Sequence, residues 1–173
     1  PRSALAQLIN QAFEADAAGV VTTIPVEGMD PLSPELMEGF IPESATTPET
    51  RQAISTLPST NILLADAASA LPTALGLGQS FDVSPWARST LDEIDWLTAG
   101  PNRTTAYLAL PDAPVAASIA EELREAASLA VAPLPVDPDG KTRRAPVLWS
   151  LNNLPVPSAG LAPYILRGET VHM

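Results

Sequence analysis

The sequence predicts an α/β domain: a mixed central β-sheet flanked by helices, in a single unit without an internal boundary across residues 1–173. Three observations lead there. An amphipathic helical stretch over 3–18 passes into a β-branched stretch across the single glycine Gly19, the step from which layered α/β folds are built. An apolar helical segment over 59–71 is stopped by Pro72 and followed by a short strand over 73–77. An apolar content of 46% supplies a real core, while 19 prolines and 9 glycines among 173 residues cut it into short pieces, because proline fixes the backbone and ends helices.

The elements follow in order. Leu5, Leu8, Ile9, Ala12 and Phe13 recur at helical spacing over 3–18, with Ser3 as a cap and Gly19 as the stop. The run over 20–26 (Val-Val-Thr-Thr-Ile-Pro-Val) suits a buried strand. Residues 27–48 are rich in loop formers, with a short helix over 33–40 where Ser33 caps and Pro34 occupies the first turn. Thr47-Pro48-Glu49-Thr50 marks another helix start, carrying 51–57. In the helix over 59–71, Ile62, Leu63, Ala67, Ala70 and Leu71 share one side. Residues 78–103 lack clean periodicity and hold Trp86 and Trp96, which reads as a packed excursion with a short helix near 91–97. A strand over 104–110 precedes a strong helix over 114–129, with Val115, Ile119, Leu123, Ala126 and Ala127 on one face. Strand-like runs over 131–136 and 141–151 flank Asp137-Pro138-Asp139-Gly140, a hairpin signal because proline presets one turn dihedral and glycine accepts positive φ. Asn152-Asn153 is a second tight turn, leading to 154–157, and Ser158 caps a last helix over 159–166.

Charge narrows the partners. Twenty acidic against nine basic residues give a net charge of −11, which repels phosphate backbones and anionic lipid heads. Nucleic acid is not an expected partner; solubility or recruitment of cationic ligands explains the excess. The absence of cysteine excludes a disulfide framework, thiolate metal sites and thiol catalysis, but fixes no compartment. No signal peptide and no apolar run of membrane-spanning length is visible, so any membrane attachment is expected through segments outside this chain.

Few residue types here move protons near neutrality. The one histidine, His172, lies beside the end of the chain, where side chains are rarely held as a catalytic triad requires. The one lysine, Lys141, follows a turn and reads as solvated, whereas lysine bases work when desolvated. Asp92, Glu93 and Asp95 cluster near Trp96 and leave open a carboxylate dyad, but such clusters are common on solvated helices. Asp137-Pro138-Asp139-Gly140 has a faint likeness to a calcium loop, yet it runs on into Lys141-Thr142-Arg143-Arg144, which repels a cation. Gly76-Leu77-Gly78 lacks the third glycine and following helix of a dinucleotide fingerprint. No cofactor and no metal site is expected. Lys141, Arg143 and Arg144 form the one dense basic cluster, read either as structural ion pairs or as an anion-binding patch.

The run 134–148 (Leu-Pro-Val-Asp-Pro-Asp-Gly-Lys-Thr-Arg-Arg-Ala-Pro-Val-Leu), followed by 154–158 (Leu-Pro-Val-Pro-Ser), resembles the type-two CHASE domain, a cyclase- and histidine-kinase-associated extracellular sensor. The shared pattern is a DG turn, an arginine pair, a hydrophobic strand, a short turn, and Pro-Ser leading into a helix. Pro1-Arg2 before a helix is similar to that family's Trp-Pro-Arg opening. Residues 61–78 are similar to its helix-to-strand segment ending in glycine, and 111–130 to its alanine-rich helix. The chain departs at Thr23, where members usually carry an aspartate, and it lacks the family's further strands and three membrane helices.

The resemblance implies a trimmed sensory domain on the periplasmic or extracellular face of a bacterial inner membrane, controlling a nucleotide cyclase or protein kinase; a homodimer is left open by the sequence. Its signal is a small molecule or a protein. It supplies no ligand and no binding residues. From residue type alone, Arg143, Arg144 and Trp86 are the expected ligand contacts, with no catalytic residue. A carboxylate-dependent hydrolase and a non-binding structural module are the alternatives.

Overall fold

The computed structural model describes residues 2–26, 28, 30–42, 46–78, 97–98, 110–111, 119–134, 136, 138–143, 145–151, 154–169 and 171–172. Helix α1 (Arg2–Glu14) presents Leu5, Ala6 and Ile9 to the core, with Ala12 packed against it. Its buried stripe is narrower than the apolar spacing predicts, since Leu8 and Phe13 stay 57% and 55% exposed. The helix also closes before Gly19. Asp16 adopts φ 59°, Ala17 N–H donates to the Ala12 carbonyl and Asp16 N–H to that of Phe13, both at 3.0 Å, so the carbonyls of the last turn are met by a left-handed cap. Strand β1 (Val20–Pro25) follows.

Two short helices, α2 (Pro34–Phe40) and α3 (Pro48–Ser55), each place proline in the first turn, where its missing N–H costs nothing. Thr47 caps α3 by accepting from Thr50 N–H at 3.2 Å. Ser59 starts α4 (Thr60–Ala70) by accepting from Asn61 N–H at 3.3 Å. The predicted face of α4 holds only in part: Ala67 and, just past its end, Leu71 are buried, but so are Leu64, Ala65 and Ala68, while Ile62 is exposed.

Pro72 ends the helix, and β2 (Thr73–Leu77) runs fully buried, as predicted. Two-residue strands β3 (Leu97–Thr98) and β7 (Val171–His172) pair in parallel, so Leu97 lies in a strand and not at the end of the helix expected near 91–97. Most of the excursion over 78–103, the strand expected over 104–110 and the start of the helix expected at 114 lie outside the described residues.

Helix α5 (Glu121–Ala126) is shorter than the alanine-rich pattern over 114–129 suggests. Ala127 turns extended (φ −144°, ψ 153°), and β4 (Ser128–Val131) pairs with β2. Pairing and burial here override helix propensity: Leu129 and Val131 enter one core and Ala130 the other. The strand expected over 131–136 therefore begins three residues earlier and ends at Val131.

Strand β5 (Leu148–Leu151) occupies only the end of the strand expected over 141–151. It pairs antiparallel with β6 (Leu154–Pro157) in register Leu151↔Leu154, the pairing that the predicted Asn152-Asn153 turn requires. The hairpin expected around residues 137–140 does not form from these strands: Gly140 takes φ +80° in a turn, but β4 and β5 are not partners. Instead β4 meets the segment after β6, bridging Val131 to Ser158 in parallel. Ser158 starts a turn, and the last helix, α6 (Ala162–Leu166), begins later than 159.

The sheet is mixed. Strands β1, β2 and β4 run parallel in the order β1-β2-β4, and the β5–β6 pair joins at the β4 edge. Because the order advances in one direction, the crossover helices α4 and α5 fall on one face beside α1. There Leu5, Ile9, Leu64 and Leu123 pack on Leu75, Leu77, Leu129 and Val131. The opposite face is shallower, with Ala162 of α6 on Ala74 and Ala130. Each fully buried leucine on the deep face contributes about 1.5–3 kcal/mol, so the helix-covered side carries most of the stability.

The β1–β2 ladder contains a bulge that positions the loop beyond it. Val21 pairs with Ala74, but the next partners are Pro25 and Gly76. Inside the bulge Thr22 Oγ1 accepts the Gly76 N–H at 3.1 Å, doing the job of a ladder carbonyl. Replacing Thr22 with valine keeps the shape and strands that buried N–H; a loss of about 1–2 kcal/mol is expected from urea unfolding. Thr23, where the resembling family carries aspartate, is solvent-exposed in this bulge.

Candidate functional site

A cleft of about 440 Å³ opens beyond the carboxyl end of β1, where α1, α2, α4 and α5 all begin. In open α/β sheets this is where ligands bind, because loops diverge there and helix starts bring unpaired N–H groups together. The volume lies within the range of ligand clefts.

Its floor is built on Arg2. A cation in the first turn opposes the helix dipole, so it needs compensation from elsewhere. Arg2 is 7% exposed. One guanidinium nitrogen donates to Asn61 Oδ1; the other donates to the carbonyls of Val26 and, at 2.6 Å, of Gly28. The side chain thus fastens the loop after β1 to the start of α4. Asp30 completes the arrangement. Its Oδ2 accepts the backbone N–H of Arg2 at 2.8 Å and its Oδ1 that of Leu32 at 3.0 Å. A carboxylate from a distant loop therefore caps α1.

Burial raises the Asp30 pKa, but the N–H groups of Arg2 and Leu32 outweigh it and hold the carboxyl below its ordinary value. Thr60 Oγ1 is buried beside them and lends the carboxylate electrostatic support without a hydrogen bond of normal geometry. Burial lowers the Arg2 pKa, while the charge of Asp30 pulls it back up. Because the folded pKa of Asp30 is depressed, its stabilisation is present above the unfolded value near 3.9 and is lost as pH falls through the folded one. The urea midpoint of the wild type is expected to fall more steeply between pH 5 and pH 2 than that of Asp30→Asn. Parallel curves count against the assignment.

The walls are acceptor-rich. Glu35 and Glu122 come from the first turns of α2 and α5, Ser59 from the cap of α4, and Ile119 and Ala120 give an apolar patch. Ser33, the cap residue of α2, also lines the cleft. It is 9% exposed, yet its hydroxyl caps no N–H and has no hydrogen-bond partner among the described residues. Beyond Asp30, the carboxyls of Glu49 and Asp139 are also held low, by hydrogen bonds, and both are exposed. A general acid requires the opposite shift.

Of the contacts expected from residue type, Arg143 is described and falls elsewhere. Arg143 sits on the exposed turn after Gly140 and grips Asp139 through both terminal nitrogens, at 2.9 and 2.6 Å, the local ion pair that was one of its two readings. Lys141 N–H also donates to Asp139 Oδ1, at 3.2 Å, and neither residue lines the cleft. Trp86, Arg144 and the Asp92, Glu93 and Asp95 cluster lie outside the described residues. Among the described residues no group of three or more acidic or histidine side chains could hold a metal ion, and no helix is long and apolar enough to cross a membrane. Arg2, Asp30, Ser33 and Asn61 are not singled out by sequence motifs of known chemistry. The signal for Arg2 is its position, a base where helices favour acids; for Asp30 it is Asp-Pro after a strand.

Comparison with family models, with curated proteins and with solved structures finds no match to this chain. The fold and cleft define a class, a small α/β domain with a polar cleft at the carboxyl end of its parallel strands.

Proposed function

We propose that this chain is the signal-binding, extracytoplasmic part of a bacterial membrane receptor, whose occupied cleft biases the domain between two arrangements read by a nucleotide cyclase or protein kinase elsewhere in the polypeptide. One observation supports this above the others. The cleft draws its lining from three separate stretches that carry the resemblance to type-two CHASE domains: Arg2 from the opening, Asn61 at the start of the helix-to-strand segment, and Ile119, Ala120 and Glu122 from the alanine-rich helix. Stretches far apart in sequence that share a pattern and meet at one cleft suit a binding role better than a spacer.

Location offers the direct test. The turn at residues 138–140 is exposed and suits an inserted reporter. Alkaline phosphatase inserted there in the parent polypeptide is expected to be active, because its disulfides form only in an oxidising compartment. An inactive insertion, together with an active cytoplasmic reporter at the same position, overturns the proposal.

A further inference from the structure

We propose that the cleft binds a small organic cation, a solute carrying one or more alkylammonium groups. The inference deepens the receptor reading and rests on it for its biological role, though not for its chemistry.

Charge comes first. One guanidinium and three carboxylates line the cleft, those of Arg2 and of Asp30, Glu35 and Glu122. Arg2 and Asp30 are already committed: the guanidinium to two carbonyls and Asn61, the carboxylate to two backbone N–H groups. Glu35 and Glu122 therefore leave an uncompensated negative charge at the walls, and the net charge of −11 draws cations toward it.

The second observation is independent of charge. Ser33, 9% exposed, lines the cleft wall, and its hydroxyl has no hydrogen-bond partner among the described residues. A Ser at a helix cap normally accepts from the helix N–H groups; Ser33 does not, and its oxygen remains available to a donor in the cleft. An ammonium donates in three directions and accepts nothing, which matches a wall of carboxylate and hydroxyl oxygens. A bare metal ion fits worse, because no metal-competent cluster of side chains exists among the described residues. The apolar patch of Ile119 and Ala120 suits the methylene stem of an alkylamine.

Isothermal titration of the 173-residue chain tests this with putrescine and ethanolamine as probes and with malonate and glycerol as controls. Saturable binding of an amine at one site is expected, weakened by added salt. Ser33→Ala is expected to raise Kd about fivefold and Glu122→Gln about tenfold. Glu122 is solvent-exposed and the Ser33 hydroxyl caps no N–H, so neither substitution should lower the urea midpoint, and lost binding is then not lost folding. Amine binding that survives both substitutions is diffuse attraction to an acidic surface and overturns the inference. So does binding of malonate or glycerol in preference to the amines, or no binding by either amine. The phosphatase insertion reads location alone, so a failed cleft chemistry and a failed receptor reading give different results.

Discussion

Gly76→Ala is expected to cost about 3 kcal/mol of folding stability, read from the urea midpoint of the purified chain. A Cβ at this position would lie 2.7 Å from the Thr22 carbonyl oxygen, 3.1 Å from the Thr23 carbonyl carbon and 3.2 Å from the Ile24 carbonyl oxygen. All three are backbone atoms of the β1 bulge, so no side chain can swing away, and either the bulge or the ladder must open. Opening it also breaks the hydrogen bond from Gly76 N–H to Thr22 Oγ1 and shifts the loop that ends in Asp30. The substitution should therefore reach the cleft: amine affinity is expected to fall along with stability. A variant within about 0.5 kcal/mol of wild type would mean that the bulge does not press on β2. The glycine is needed here for space and not for a left-handed backbone, and this resolves Gly76-Leu77-Gly78, which as a phosphate-binding fingerprint is incomplete.

What the sequence makes legible follows from which signals are local. Gly19, Pro72 and Thr47 act within a few residues of their own position: the helix-to-strand steps at Gly19 and Pro72 and the helix start at Thr47 are present. The mixed sheet with flanking helices follows from those steps. The stretch over 114–129 misleads because alanine carries no periodicity of its own: with Ala126, Ala127 and Ala130 neutral, the period-two alternation of Leu129, Ala130 and Val131 hides inside a helix-forming run. The hairpin at residues 137–140 misleads in another way. Its turn chemistry is sound and Gly140 has the positive φ it asks for, but a turn does not choose strand partners, and Val131 bridges to Ser158 and not to the strand after the turn. Arg143 illustrates the limit on reading a site. A basic cluster names no partner, and Arg143 pairs with Asp139, four residues away. The cleft is assembled from the openings of four helices, so no single stretch announces it.

Arg2→Met is expected to destabilise the chain by about 3–5 kcal/mol, the range for removing one member of a buried, hydrogen-bonded charged arrangement. Methionine keeps most of the aliphatic stem, so the loss reports the guanidinium itself and not packing. Its removal strands the carbonyls of Val26 and Gly28 and the Oδ1 of Asn61, and takes away a cation that interacts with the charge of Asp30. Asp30 still accepts from the backbone N–H of residue 2, which no side-chain change removes. Its carboxyl should therefore titrate higher in Arg2→Met than in the wild type, and the acid limb of the stability curve should begin at a higher pH. Arg2→Lys separates charge from geometry: an ammonium restores the charge but cannot reach two carbonyls and an amide from one planar fork, so only part of the stability should return. Full rescue by lysine would mean that charge alone holds the loop. No loss in Arg2→Met would mean that the guanidinium is solvated, and that the cleft floor described here is wrong.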